Sequence, residues 1–262
     1  MTAATPGTPR VSVIVPSLDE ADNLEEVIPG VPPEYELVVV EGVRYRRTSE
    51  LLHRIRPDAT VVEQNRYGKG NALACGFAAA TGDIIVMFDA DGSADSAEIP
   101  AFVDAIVRGA DFAKGTRSRG GGSDDITVLR SLGNWGLTRL TNLLFGTRYS
   151  DLCYGFNAFR REVLPVLDLP SPGSSRGPMR WGEGFEVETL INCRVARAGI
   201  VVAEIPSHER RRVHGVSNLN AWRDGKRVLR TLLRERRRPP TGLPLRTPQP
   251  EPEPALQERP TG

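Results

Sequence analysis

The chain has 262 residues, 39% of them hydrophobic and 26% charged, and a formal net charge of +1. That balance allows a packed core in one large or two small domains, excludes wholesale disorder, and gives no global charge for a nucleic-acid partner. Three cysteines, Cys75, Cys153 and Cys193, are too scattered for a disulfide framework or a paired-cysteine zinc site. Residues 1–9 are small and proline-rich, with expected disorder. The run VSVIV (11–15) predicts a strand stopped by Pro16. ADNLEEVI (21–28) predicts a helix, with Asp22 as its cap. Further strands are expected at 36–40, 59–63, 84–88 and 110–117. Helices at 49–55, 70–82 and 96–109 alternate with them, Gly82 stopping the second. Continuously apolar strands alternating with helices predict a mostly parallel sheet covered on both faces, with ligands at the carboxyl ends of the strands.

The pattern changes after residue 117. SRGGGSDD predicts a flexible loop, 127–146 a long helix, and 150–167 a strand and a short helix. The stretch 170–184 predicts a Gly/Pro/Ser-rich loop, either an insertion or a lid in which Trp181 closes over a sugar. A helix at 185–199 and a strand at 200–206 follow. A basic helix at 218–238 places Leu219, Trp222, Lys226, Leu229 and Leu233 on one stripe, for core packing or for an anionic membrane surface. Residues 239–262 predict a disordered proline-rich tail. MTAATPGTPR lacks a signal-peptide pattern, and no apolar run approaches the ~18 residues of a membrane span. The expected location is cytoplasmic, at most peripheral on a membrane face.

The chemistry concentrates where IIVMF runs into DADGS. Asp89 and Asp91 sit at a strand end, one residue apart. Two such carboxylates can grip one Mg²⁺ or Mn²⁺, which favour oxygen ligands. A plain Asp/Gly turn would read the same way.

The series VSVIVPSLDEADNL, VVVEG, NRYGKGNALACGFAAATG and FDADGS resembles, in order and spacing, glycosyltransferase family 2. The resemblance covers roughly residues 10–235. SDLCYGFNAF and RRVHGVSN are similar to patterns of its polyprenyl-phosphate (dolichyl-phosphate) mannosyl- and glucosyltransferase branch. It implies an α/β GT-A fold over 10–238, with a nucleotide-sugar half (10–117) and an acceptor half (118–238). The implied activity is metal-dependent, inverting transfer of a hexose from a nucleoside-diphosphate sugar to polyprenyl phosphate. A soluble acceptor, such as a secondary metabolite or a cell-wall precursor, is the alternative.

On that resemblance, Pro16, Leu18, Glu20, Glu41, Lys69, Asp89, Ala90 and Asp91 serve the donor. Asp91 is the direct metal ligand, while Asp89 reaches the metal through water or contacts ribose. Lys69 at a helix start adds a cation beside free N–H donors near the phosphates. Glu41 departs from the family's aspartate, and Arg44, Arg46 and Arg47 follow it where the family has a second acid. Arg117, Arg212 and Ser217, with Gly215 nearby, are expected at an acceptor phosphate, because arginine grips phosphate with a two-pronged fork. Surface salt bridging is the competing reading for the arginines, and a solvated loop is the competing reading for His208 and His214. A hydroxyl acceptor would need a base, whereas a phosphate acceptor is already anionic. Asp151, Glu186 and Glu188 are the options; Asp151 and Glu188 match the family pattern. Glu186 and Glu188 lie two apart on one helix, so one of them is expected to face solvent. A sugar-phosphate nucleotidyltransferase would carry an early Gly-rich loop where this chain has VPSLDE. A non-catalytic nucleotide-sugar-binding protein finds support only in the altered segment after Glu41.

Overall fold

The computed structural model describes residues 7–42, 47–173, 177–215 and 221–239. Arg44, Arg46, Ser217, Leu219 and nearly all of the tail expected at 239–262 lie outside them, as does the side chain of Trp222. The strands are β1 (Val11–Ser17), β2 (Glu36–Glu41), β3 (Thr60–Glu63), β4 (Ile84–Met87), β5 (Phe112–Thr116), β6 (Gly122–Ser123), β7 (Asn157–Arg160), β8 (Val202–Pro206) and β9 (His208–Glu209). The helices are α1 (Ala21–Val27), α2 (Arg47–Ile55), α3 (Lys69–Ala79), α4 (Ile99–Val107), α5 (Val128–Phe145), α6 (Leu164–Leu167), α7 (Val187–Ala198) and α8 (Ala221–Arg237).

Seven strands form one sheet in the order β3-β2-β1-β4-β7-β5-β8. All pairings are parallel except those of β7, which runs antiparallel between β4 and β5. The sheet therefore draws on both halves of the chain. Alternate residues of the buried strands feed two cores. Val11, Val13 and Val15 pack with Leu24, Phe102 and Ile106 on one face. Ile14, Val38 and Val40 pack with Leu73, Phe77 and Ile191 on the other. Each fully buried Phe or Ile contributes about 1.5–3 kcal/mol of transfer free energy. A third cluster, Leu152, Cys193 and Leu232 with Leu137 and Val228, holds α5, α7 and α8 together.

Several local expectations are corrected. β1 runs through Pro16 to Ser17. Its pairing with β4 ends at Ile14, whose carbonyl accepts from Phe88 N (3.0 Å), so the imide of Pro16 faces that edge beyond the last bond and breaks nothing. Asp22 does not cap α1; Glu20 precedes the helix without a side-chain bond to its backbone amides, and Asp22 pairs with Arg47. α3 stops at Ala80 rather than at Gly82. SRGGGSDD is pinned: β6 pairs with β9, and the Ser123 hydroxyl bonds Glu209. The leucine stripe of α8 faces the wrong way for core packing. Thr231, Leu232 and Glu235 are buried, whereas Leu229 and Leu233 are 41% and 47% exposed.

Candidate active site

β4 carries the chain out of the core and the period-2 alternation of an extended chain sorts the next residues. Phe88 and Ala90 turn inward and are buried, while Asp89 and Asp91 turn into a cleft. Phe88 packs edge-on against Phe156 at 5.2 Å, fixing the strand end against the segment that enters β7. Asp91 is set further by its own turn, its Oδ1 accepting from Ser93 N at 3.0 Å.

Two cations reach these acids. Lys69 Nζ bridges Asp89 Oδ1 at 2.6 Å and Glu188 Oε1 at 2.5 Å. Arg212 bridges Asp91 Oδ2 and Glu20 Oε1, both at 2.8 Å. Four carboxylates (Glu20, Asp89, Asp91, Glu188) thus share two cations (Lys69, Arg212), leaving a surplus of two negative charges. Burial, with Asp91 and Glu188 adding repulsion against the pull of Lys69, pushes the Asp89 carboxyl above the usual range. Burial, reinforced by Asp91, does the same to Glu20 against Asn23 and Arg212. Lys69 resists the lowering effect of burial and is held well above the ordinary lysine value by Asp89 and Glu188.

A hard divalent cation fits this donor set. Asp89 and Asp91 offer carboxylate oxygen at a part-exposed position, and Mg²⁺ commonly takes one or two carboxylates plus water and phosphate. The surplus charge is the amount one such ion would neutralise. Among the described residues, no group of three His, Cys, Asp or Glu is arranged as a complete protein cage. His208 Nε2 lies 3.0 Å from Asp124. His214 meets the site through its backbone, which exchanges bonds with Asn23.

The expectation for Lys69 needs correction in one respect. The first-turn amides of α3 are not free: Gly70 N and Asn71 N donate to Glu183 O at 2.8 and 3.3 Å. This explains the glycines that flank Lys69. Gly68 has φ +107, and a Cβ there would collide with the Glu183 carbonyl, as one on Gly70 would with that of Gly182. Glu183 itself is locked by a buried pair with Arg66, with Nε to Oε1 at 2.6 Å. The described part of 170–184 is therefore clamped onto α3. Trp181 lies against the guanidinium of Arg234 (4.4 Å) and that of Arg230 (5.8 Å), not free to close over a sugar.

The candidate bases separate clearly. Asp151 is 1% exposed and accepts from five donors: Arg117 N, Nε and Nη2, Asn134 Nδ2 and Cys153 N. Despite burial, the Arg117 guanidinium holds its carboxyl down at about 2. It is a fixed anion with its lone pairs in use, so it positions Arg117 rather than moving a proton. Glu186 does not face solvent as one of the pair was expected to; it is buried and accepts from Gly182 N at 2.9 Å and Gly184 N at 3.3 Å. Glu188 is not solvent-facing either; it is the one of the three that reaches the cleft.

The expected phosphate-binding arginines are also committed. Arg117 gives Nε and Nη2 to Asp151 and Nη1 to Glu209, and lies 5.2 Å over Tyr154. Arg212 is held between Glu20 and Asp91. Among the other residues expected to serve the donor, Glu41 is buried and accepts from Thr48 N at 3.1 Å. Pro16 lies within β1, Leu18 is exposed just beyond it, and Ala90 is buried.

Two residues escaped the sequence reading. Gly155, within the quoted SDLCYGFNAF, clears the middle of the cleft. A Cβ there would lie 2.6 Å from Glu188 Oε1, 3.1 Å from Asp89 Oδ2 and 3.2 Å from Lys69 Nζ. Asn23 is buried in α1 and ties the 212–215 segment to the site, accepting from His214 N at 2.7 Å. A short motif signals neither.

Beyond Glu188 the cleft continues into an apolar groove of 440 Å³ between α5 and α8. Ile126, Leu129, Leu137, Phe185, Val228 and Leu229 line it, and Glu188 and Arg117 border it.

Residues 12–167 match the family model described as glycosyl transferase family 2. The polyprenol monophosphomannose synthase of Mycolicibacterium smegmatis is 29% identical over 233 residues, covering 81% of this chain and 82% of that protein. The low-salt glycan biosynthesis hexosyltransferase Agl6 of Haloferax volcanii is 29% identical over 235 residues; the match takes in 86% of this chain but only 53% of Agl6. Among solved structures, Mycobacterium tuberculosis glucosyl-3-phosphoglycerate synthase, crystallised with Mn²⁺, UDP-glucose and glycerol 3-phosphate, superposes with a TM-score of 0.66. It is 24% identical, over 89% of this chain and 82% of that one. Fold, motif order and family match agree: the chain belongs to glycosyltransferase family 2, and its α/β domain has the GT-A fold.

Proposed function

We propose that the protein is an inverting hexosyltransferase that uses a nucleoside-diphosphate sugar and delivers the sugar to polyprenyl phosphate. The observation that carries the acceptor is the apolar groove ending at Glu188, because an isoprenoid chain needs an apolar channel leading to the donor carboxylates. The names of relatives that act on polyprenol or dolichyl phosphate point the same way. The state of the candidate bases adds independent support. Asp151 is saturated and Glu188 is paired with Lys69, so among the described residues no unengaged carboxylate stands at the groove end. A phosphate acceptor requires none.

Asp89 and Asp91 would hold Mg²⁺ or Mn²⁺, which would neutralise charge arising on the departing diphosphate. The chain's own groups do the rest. Lys69 holds Asp89 and Glu188 together against their mutual repulsion and adds positive charge near the leaving group. Gly155 leaves the volume in which the hexose meets its acceptor. An acceptor phosphate oxygen attacks the anomeric carbon, and the bond to the diphosphate breaks on the opposite face. The electron pair leaves with the nucleoside diphosphate, so configuration inverts and no proton moves. Glu20 and Asn23 hold Arg212 and the 212–215 segment over Asp91.

The test is a panel of nucleoside-diphosphate sugars with Mn²⁺, with and without a short-chain polyprenyl phosphate. Formation of the glycosyl phospholipid by the wild-type protein, and its loss in Asp91→Ala, is expected. Transfer to water-soluble acceptors alone would overturn the lipid reading.

A further inference from the structure

α5 presents an unusual outer face. Val128, Leu132, Trp135, Arg139 and Leu143 recur at steps of three and four and so share one stripe. That stripe points away from the core: Val128, Leu132, Trp135 and Leu143 are 87%, 63%, 55% and 81% exposed. Arg139 lies 4.5 Å over the Trp135 ring, so the cation sits beside the apolar stripe rather than interrupting it. From Val128 to Ser150 the chain holds Arg130, Arg139 and Arg148 and no acidic residue.

α8 matches it. Its outward side carries Leu229, Leu233, Lys226, Arg230, Arg234 and Arg237. Its two acids are turned in and spent, Asp224 on Arg227 at 3.3 Å and Glu235 on Arg194 at 3.0 Å. Leu129 and Leu229 both line the groove and remain 56% and 41% exposed, so the groove opens between the two helices.

Exposed leucines and tryptophan set among a surplus of arginines call for a partner that is both apolar and anionic. A second copy of the same surface would bring arginine against arginine. An anionic bilayer supplies both properties, with acyl chains for the leucines, headgroup phosphates for the arginines, and an interfacial position for tryptophan. We propose that the outward faces of α5 and α8 form a docking surface for an anionic membrane, with the mouth of the groove against the lipid. This rests on the lipid-acceptor reading for its purpose, but not for its physical basis. Docking would deliver a lipid phosphate to Glu188 without a membrane-spanning helix, and no helix among the described residues is long and apolar enough to span.

The experiment is co-sedimentation of the full chain with vesicles of phosphatidylcholine alone and of phosphatidylcholine mixed with phosphatidylglycerol. Binding at least about tenfold stronger to the mixed vesicles, weakened by added salt, is expected. Two variants dissect it: the double change Leu132→Ser with Trp135→Ser, and Arg139→Glu. Each should lower vesicle binding about tenfold, with unchanged circular dichroism and unchanged transfer to a short, water-dispersed polyprenyl phosphate. These positions lie outside the groove, so loss of that basal transfer would contradict the assignment. So would equal binding to both vesicle types, unaltered binding by both variants, or a dimer in sedimentation velocity that Leu132→Ser dissociates. Vesicle binding without transfer to any polyprenyl phosphate would support the surface and remove the proposed acceptor.

Discussion

The run from β1 to β5 and the run from α5 to α8 build opposite walls of one cleft from different kinds of sequence. The first puts its apolar residues into strands buried on both faces and its carboxylates where strands end. Three of its acids, Glu20, Asp89 and Asp91, are held by Lys69 and Arg212 and remain part-exposed. The second turns leucines outward and spends Asp151 on Arg117, Glu186 on backbone amides and Glu235 on Arg194, leaving Glu188 to reach the cleft. The lesson is that a carboxylate's neighbours decide its role. Asp91 has a part-exposed rim and surplus negative charge around it, so it is available to a cation. Asp151 has five donors and none to spare, so it is architecture.

Substitutions can break this contrast. The largest expected effect is Asp91→Ala, which should lower transfer by at least about a thousandfold while leaving the melting temperature nearly unchanged, since the cleft is part-exposed. Isothermal titration with Mn²⁺ and a nucleoside diphosphate should show weakened binding in parallel.

Asp151→Asn should act on stability instead. Removing the charge leaves Arg117 buried without its main partner, at a cost of about 3 kcal/mol in chemical denaturation near neutral pH. The sign of its pH dependence follows from a carboxyl depressed to about 2 from an ordinary 3.8. Its stabilisation is complete above the unfolded value and disappears as pH falls through the folded one. The gap between wild type and Asp151→Asn should therefore narrow between about pH 4 and pH 2.

Filling the groove with Leu129→Trp should raise KM for long-chain polyprenyl phosphate about tenfold and change kcat little, because the ring occupies chain-binding volume away from the reacting atoms. The smallest effect is expected for Glu188→Gln on a phosphate acceptor, within about tenfold in kcat, since no proton is removed. A fall of about 10²–10⁴ would assign Glu188 as a general base and an acceptor hydroxyl in place of phosphate.

The sequence made the wall built from β1 to β5 legible because its signals are local. Apolar runs, the residues that end them and the Asp-x-Asp spacing all lie within one strand and its turn. The wall built from α5 to α8 depends on contacts between distant segments. That Glu183 caps α3, that Arg212 crosses to Asp91, and that Asp151 closes on Arg117 are facts of tertiary packing. Helical periodicity found the α8 stripe of Leu229 and Leu233, but periodicity alone does not say which side faces the core. Thr231 and Glu235, polar in sequence, are buried because α5 and α7 cover them. In the sequence Gly155 is one letter of SDLCYGFNAF; its purpose appears when Glu188, Asp89 and Lys69 converge on the space a side chain would fill.

The proposed acceptor arrives already charged, and a pair of substrates differing only in that respect tests for it. With Mn²⁺ and the preferred nucleotide sugar, the protein should glycosylate a short polyprenyl phosphate and leave the corresponding free polyprenol unmodified across the neutral pH range. Equal transfer to the free alcohol would show that a base removes a proton in this cleft and would contradict the central claim.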